Sequence, residues 1–270
     1  MRRALAGCLA LSVAAPPLGV FLVLRRMSLM SDVLQHGVLP GIAVGAAVGG
    51  LSVWAMGTGG VVAGLVVALL AGWFARRTGM GEDSQLAGLY LVALAAGVAL
   101  ISAQRGVDLT HLLFGSVLAV DNTALLAMAG AATLTLPVLA VIWRPLVLES
   151  LDPGFPGGPL GGASSGGLWH GCFLALVVLC VVSGFEALGT LMSVGLMMLP
   201  AIAARHWCGS LAGQVSAAVA LAIAASVVGL LISFNVEIPA GPAIVLTAGG
   251  FWVVSLLAGP REGLLRTRGG

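Results

Sequence analysis

Apolar residues run along this chain in long blocks separated by short polar punctuation. The blocks fall at about Leu5–Leu24, Val33–Trp54, Gly60–Phe74, Leu86–Ala103, Thr123–Trp143, Leu168–Phe185, Leu188–Ala204, Leu211–Phe234 and Ala243–Leu257. A helix of about 18 or more apolar residues is long enough to cross a bilayer. The pattern therefore predicts an all-α polytopic membrane bundle of eight or nine spans. The count depends on Gly184–Ala187, which is so short that the blocks on either side of it form a tight or broken hairpin. Between the fourth and fifth blocks, VDLTHLLFGSVLAVD (Val107–Asp121) has an apolar part of only about ten residues. That is too short to span and predicts a re-entrant or interfacial helix.

Composition agrees with the pattern. Apolar residues make up 59% of the 270 positions and charged residues 8%, where a soluble domain carries about 25% charged residues. Mean hydropathy is +1.11. With so few charges the chain cannot cover a soluble surface, and no basic patch is dense enough for nucleic acid. Cys8, Cys172, Cys180 and Cys208 have no paired CxxC spacing and read as small hydrophobes. Arg2 and Arg3 before an apolar run resemble a signal peptide. No convincing small-x-small cleavage site follows, however, so the first block is expected to stay.

All twelve basic residues are arginine. Alternating the blocks across a membrane places Arg25, Arg26, Arg76, Arg77, Arg144, Arg205, Arg261, Arg266 and Arg268 on one side and only Arg2, Arg3 and Arg105 on the other. The arginine-rich side is cytoplasmic by the positive-inside rule. This puts the amino terminus outside, against its own two arginines. The abundant glycines, as in GIAVGAAVGG, let helices approach closely, and some mark the broken helices found at transporter sites.

Polar groups inside such a chain need a reason. Asp32 and His36 are four residues apart and share a helix face. Asp32 can cap its helix, but His36 lies about one turn inside and needs a partner. Carboxylate plus imidazole is a starting ligand set for a divalent transition metal, or a proton relay. Ser31 and Gln35 flank the pair as weaker candidates. Glu186, between two apolar blocks, and Glu237, in NVEIPAGP, fall on the outer side. Each is either a solvated loop acid or a group that draws cations toward an outer mouth. Asp108 and His111 belong to the short outer element, and His170 and His206 to the cytoplasmic boundary. The longest cytoplasmic connection, Arg144–Gly167, contains LESLDPGFPGGPLGGASSGG and suggests docking of a soluble partner. There is no GxxxxGK[ST] sequence, so the chain is not itself a P-loop ATPase. With no HExxH pattern either, it is not read as an enzyme.

Five stretches together resemble the ABC-3 family, the permease subunits of bacterial ABC importers for manganese, zinc and iron. They are PLGVFLVLRRMSLMSDVLQHGVLPG, GEDSQLAG, GVDLTHLLFGSVLAV, GTLMSVGLMMLPAIAAR and PAGPAIVL. The resemblance implies one transmembrane permease domain over residues 1–270 in the bacterial inner membrane. It also implies partners: a second copy of the chain, a cytoplasmic ABC ATPase dimer that supplies ATP hydrolysis, and an extracytoplasmic metal-binding protein. Mn2+, Zn2+ or Fe2+ would be the substrate, with manganese or iron slightly favoured over zinc, and no cofactor is implied. Asp32, His36, Pro40 and Gly41 match the family's GDxxxHxxxPG-like stretch, with Ser31 in place of its glycine. Within residues 144–167, Asp152, Phe155 and Gly157 look like its ATPase-coupling helix. The acid Glu237 before Ile238–Ala240 also has counterparts in relatives, whereas the resemblance gives Glu186 no role.

Overall fold

The computed structural model describes residues 2–28, 30–50, 52–78, 82–103, 121–151, 165–261 and 263. Among these residues the regular structure is entirely helical. The ten helices are α1 (Arg2–Leu24), α2 (Met30–Gly37), α3 (Leu39–Gly49), α4 (Val53–Thr78), α5 (Glu82–Ala103), α6 (Asn122–Leu151), α7 (Ser165–Leu188), α8 (Thr190–Arg205), α9 (Leu211–Val236) and α10 (Ala240–Ala258). Seven of them, α1, α4, α5, α6, α7, α9 and α10, are long and apolar enough to cross a membrane. The helix α8 is apolar but has only 16 residues. Val107–Val120 and residues 152–164 of the expected Arg144–Gly167 connection lie outside the described residues.

Two expected boundaries differ. The block Val33–Trp54 does not form one helix. It divides at Val38 into α2 and α3, and Trp54 belongs to α4. Pro40 has no N–H to give to the His36 carbonyl, and its ring opposes a continuous turn. Bonds from Val38 N–H to the Leu34 carbonyl and from Ile42 N–H to the Val38 carbonyl, both 3.1 Å, bracket the break. The chain then reverses through Gly50, whose φ of +68° favours glycine. The second difference is in α6, which runs past Trp143 to Leu151 and carries both Pro137 and Pro145 inside it.

The chain forms two compact units, one of residues 1–28, 110–132 and 183–270, the other of residues 29–109 and 133–182. In the first unit α1 packs on α8 and α9, and α10 on α8 and α9. Glycine permits the closest approaches. A Cβ on Gly19 would overlap the Met197 carbonyl, and one on Gly229 would stand 2.5 Å from the Ile244 backbone. Ser12 and Ser226, both fully buried, join α1 to α9 with hydroxyls 2.8 Å apart.

These contacts sort the ends of this unit. Val20, Ala201, Ala204 and Ala218 form one core cluster, so the C-terminal ends of α1 and α8 lie with the start of α9. The Trp207 indole N–H donates to Ser255 Oγ at 2.8 Å, and Arg261 N–H to the His206 carbonyl at 3.3 Å, which brings the end of α10 there too. Arg25, Arg26, Arg205 and Arg261 thus share one end. At the start of α1, Gly7 lies against Met128 and Leu125 of α6. Asp121 caps α6 there, accepting from Thr123 Oγ1 at 2.6 Å and Ala124 N–H at 2.7 Å. Those bonds, the Thr123 hydroxyl first, and the charge of nearby Arg3 hold its carboxyl below the usual range.

In the second unit α2 and α3 pack on α4 and α5. Gly41 and Gly45 of α3 meet α4 so closely that a Cβ on either would overlap the Gly59 or Ala55 carbonyl. This is the small-residue packing on which membrane helices rely.

Candidate metal-pathway site

The polar pair lies on α2, the shortest helix described, with Asp32 in its first turn and His36 in its last. Asp32 Oδ1 is 3.8 Å from His36 Nε2. That is too long for a hydrogen bond. It is also less than twice the metal–ligand distance of about 2.1 Å, so a single ion can touch both atoms. Asp32 is exposed and His36 half-buried. The imidazole stands 5.8 Å, centroid to centroid, from Tyr90 of α5. Tyr90 is the chain's one tyrosine, and that rarity inside an apolar helix was the signal by which the sequence could have singled it out.

The helix break also frees a backbone group. Because Pro40 carries no N–H, the His36 carbonyl lacks its usual i+4 partner. Freed carbonyls of broken helices are ion-coordinating groups in transporters. Asp32 carboxylate and His36 imidazole are a hard and borderline donor pair that suits Mn, Fe or Zn. Among the described residues no three His, Cys, Asp or Glu side chains gather into a closed metal site. The pair is therefore an open set that leaves positions for water or for groups from elsewhere.

Of the other sequence-predicted residues, Glu186, His206 and Glu237 belong to the first compact unit and the pair to the second. Glu237 ends α9 in the left-handed conformation, with φ 56° and ψ 31°. An L-residue adopts it at a cost of about 1 kcal/mol. Its neighbour Ser233 donates to the Ile238 carbonyl at 2.7 Å. Glu186 falls in the last turn of α7 rather than in a connection. The chain turns only at Gly189, where φ is 87°, and Gly184 and Ser193 then face each other across the hairpin. His206 is buried at the end it shares with Arg205 and Arg261, and its Nδ1 has no partner. Asp108, His111, Asp152, Phe155 and Gly157 lie outside the described residues.

Seven long apolar helices, chain breaks at Pro40 and Gly189, and an open acid–imidazole pair beside the first break are the features of a polytopic membrane transport subunit. The chain belongs to the ABC 3 transport family, which it matches over residues 1–259. As a member it is a transport permease and not an enzyme. It is 31% identical to the manganese import system permease protein ScaB of Streptococcus parasanguinis, over 97% of this chain and 91% of that one. It is 30% identical to the chelated iron transport system membrane protein YfeD of Yersinia pestis, over 95% and 84%. Among solved structures it is similar to PsaBC from Streptococcus pneumoniae in complex with Fab, with a TM-score of 0.83, 28% identity, and coverage of 99% of this chain and 94% of that one.

Proposed function

We propose that this chain is the membrane permease subunit of an ATP-driven importer for a divalent transition metal, with manganese favoured over iron and zinc. The observation that carries the reading is the open Asp32–His36 pair at the Pro40 break, in a chain of this family. Relatives named for manganese import and chelated iron transport support the choice of metal, and so does a donor set of oxygen and imidazole.

The protein works in the bacterial inner membrane as a single permease domain over residues 1–270, with eight or nine spans. Its arginine-rich end faces the cytoplasm. Two copies pair, a cytoplasmic ABC ATPase dimer seats on them, and an extracytoplasmic metal-binding protein hands over the ion. Glu237, and less directly Glu186, draw the cation in at the outer mouth. Asp32, anionic, and His36, neutral, hold it in passage, since a metal ligand must be free of its proton. The connection at residues 144–167, through Asp152, Phe155 and Gly157, transmits ATPase motion to the helices.

Proteoliposomes containing the permease and its ATPase test this reading. ATP-dependent uptake of Mn2+ that excess Fe2+ or Zn2+ competes for only partly is the expected result. Absence of ATP-dependent uptake of all three metals refutes it.

A further inference from the structure

Among the described helices, α2 alone sorts its residues cleanly into a polar and an apolar face. At about 100° per residue, Ser31, Gln35, Asp32 and His36 occupy one continuous stripe of roughly 140°. Met30, Leu34, Gly37 and Val33 occupy the opposite side. In a chain with a polar environment on one side only, the polar stripe would face water. Here Ser31 is fully buried and Gln35 is 1% exposed, about as deep as Leu34 and Met30. Ser31 Oγ, Gln35 Nε2 and His36 Nδ1 are all buried without a hydrogen-bond partner. An orphaned buried hydroxyl or amide costs stability. A leucine or methionine at position 35 would avoid that cost. Native structures rarely carry several such groups on two turns of one helix unless water or a ligand satisfies them.

The chemistry of the orphaned groups narrows the ligand. A carboxamide N–H donates, so it repels a bare cation but bonds to the oxygen of a water molecule that the cation carries. A serine hydroxyl can bond to the same water. We infer that the whole polar stripe of α2 lines the ion path, with Asp32 and His36 touching the metal and Ser31 and Gln35 holding the water that the metal retains. This inference rests on the pathway reading of Asp32 and His36. It makes Gln35 a specificity-determining residue. Mn2+ and Fe2+ keep oxygen ligands and water in a six-coordinate shell, whereas Zn2+ favours closed four-coordinate sites. A path that grips retained water therefore favours the former.

Cysteine accessibility tests the stripe directly. Cys8, Cys172, Cys180 and Cys208 are first replaced by alanine. Single cysteines at Ser31, Gln35 and Leu34 are then exposed to a charged, membrane-impermeant thiol reagent in proteoliposomes holding the permease and its ATPase, with and without ATP. Ser31→Cys and Gln35→Cys are expected to react during turnover and to be slowed by Mn2+, while Leu34→Cys stays unreactive. Reaction of Ser31→Cys and Gln35→Cys no faster than Leu34→Cys in both nucleotide states overturns the inference. A second measurement uses Gln35→Met in the otherwise intact chain. Loss of one hydrogen bond to a metal-bound water should lower Mn2+ uptake about tenfold more than Zn2+ uptake, and equal loss of both makes Gln35 merely structural. If His36→Ala leaves uptake unchanged, the pathway reading itself fails. If His36→Ala abolishes uptake while the stripe stays unlabelled, only this inference fails.

Discussion

Gly97 of α5 sits directly against the break between α2 and α3: a Cβ at Gly97 would stand 3.0 Å from Pro40 N and 2.7 Å from Leu39 Cβ. One helix thus leaves room, by lacking a side chain, for the irregular backbone of another. The His36 carbonyl and imidazole are at that break, so packing at Gly97 sets where the candidate ligands stand. Replacing Gly97 by valine should lower thermal stability in detergent by about 1–3 kcal/mol through overpacking, and should depress uptake without touching any ligand. Gly88→Ala, on the same helix with no atom within 4 Å, serves as the control. It should be neutral or slightly stabilising, because alanine replaces glycine in a helix.

Pro40→Ala tests the break from the other side. An alanine N–H restores a donor for the His36 carbonyl and lets α2 continue into α3. The variant should be at least as stable as the parent in a thermal melt, yet transport more slowly. Equal uptake by Pro40→Ala and the parent would show that the break has no part in transport.

The Ser12–Ser226 contact allows a quantitative check of how α1 is held. Polar contacts between membrane helices average about 0.6 kcal/mol by double-mutant cycle. Ser12→Ala should destabilise by roughly that amount or somewhat more, because it takes from Ser226 its partner, and Ser226→Ala by less, because Ser12 still donates to the Ala222 carbonyl at 3.3 Å. The double variant should cost less than the sum of the two. Strict additivity in chemical denaturation would mean that the hydroxyls do not interact.

Asp121 gives a pH signature at the start of α6. Its folded carboxyl titrates below its ordinary value of 3.8, because the Thr123 hydroxyl and Ala124 N–H bond to the charged form. A depressed folded value means the cap contributes fully above that ordinary value and is lost as pH falls through the lower, folded one. Amide hydrogen exchange in the first turn of α6 should therefore stay protected at neutral pH and rise only in strong acid. In Asp121→Asn the acid-dependent step should disappear.

Much of this fold follows from the apolar blocks. The helices α5, α7, α8, α9 and α10 begin and end within a few residues of the blocks that predicted them, because polar or glycine-proline punctuation marks their ends. The region from Val33 to Phe74 was harder. In GIAVGAAVGGLSVWAMG nearly every residue is apolar or small, so no period separates one helix from the next. The reversal at Gly50 depends on a backbone angle that composition does not encode. Pro40 was visible, but a proline inside an apolar run fits a kinked span as well as a broken one. The Asp32–His36 pair stood out because i,i+4 spacing brings side chains together wherever a helix forms. That Ser31 and Gln35 are buried as deeply as their apolar neighbours became visible only once α4 and α5 were packed around α2.

The most direct test of the account is ATP-driven Mn2+ uptake by proteoliposomes carrying Asp32→Asn or His36→Ala permease with the ATPase, beside Gly88→Ala as the packing control. Removing one ligand from an ion that makes few contacts with the chain should cut uptake by at least about tenfold, the equivalent of roughly 1.4 kcal/mol, with assembly and thermal stability close to those of the parent. Uptake by both variants equal to that of Gly88→Ala would contradict the claim that the metal passes between Asp32 and His36.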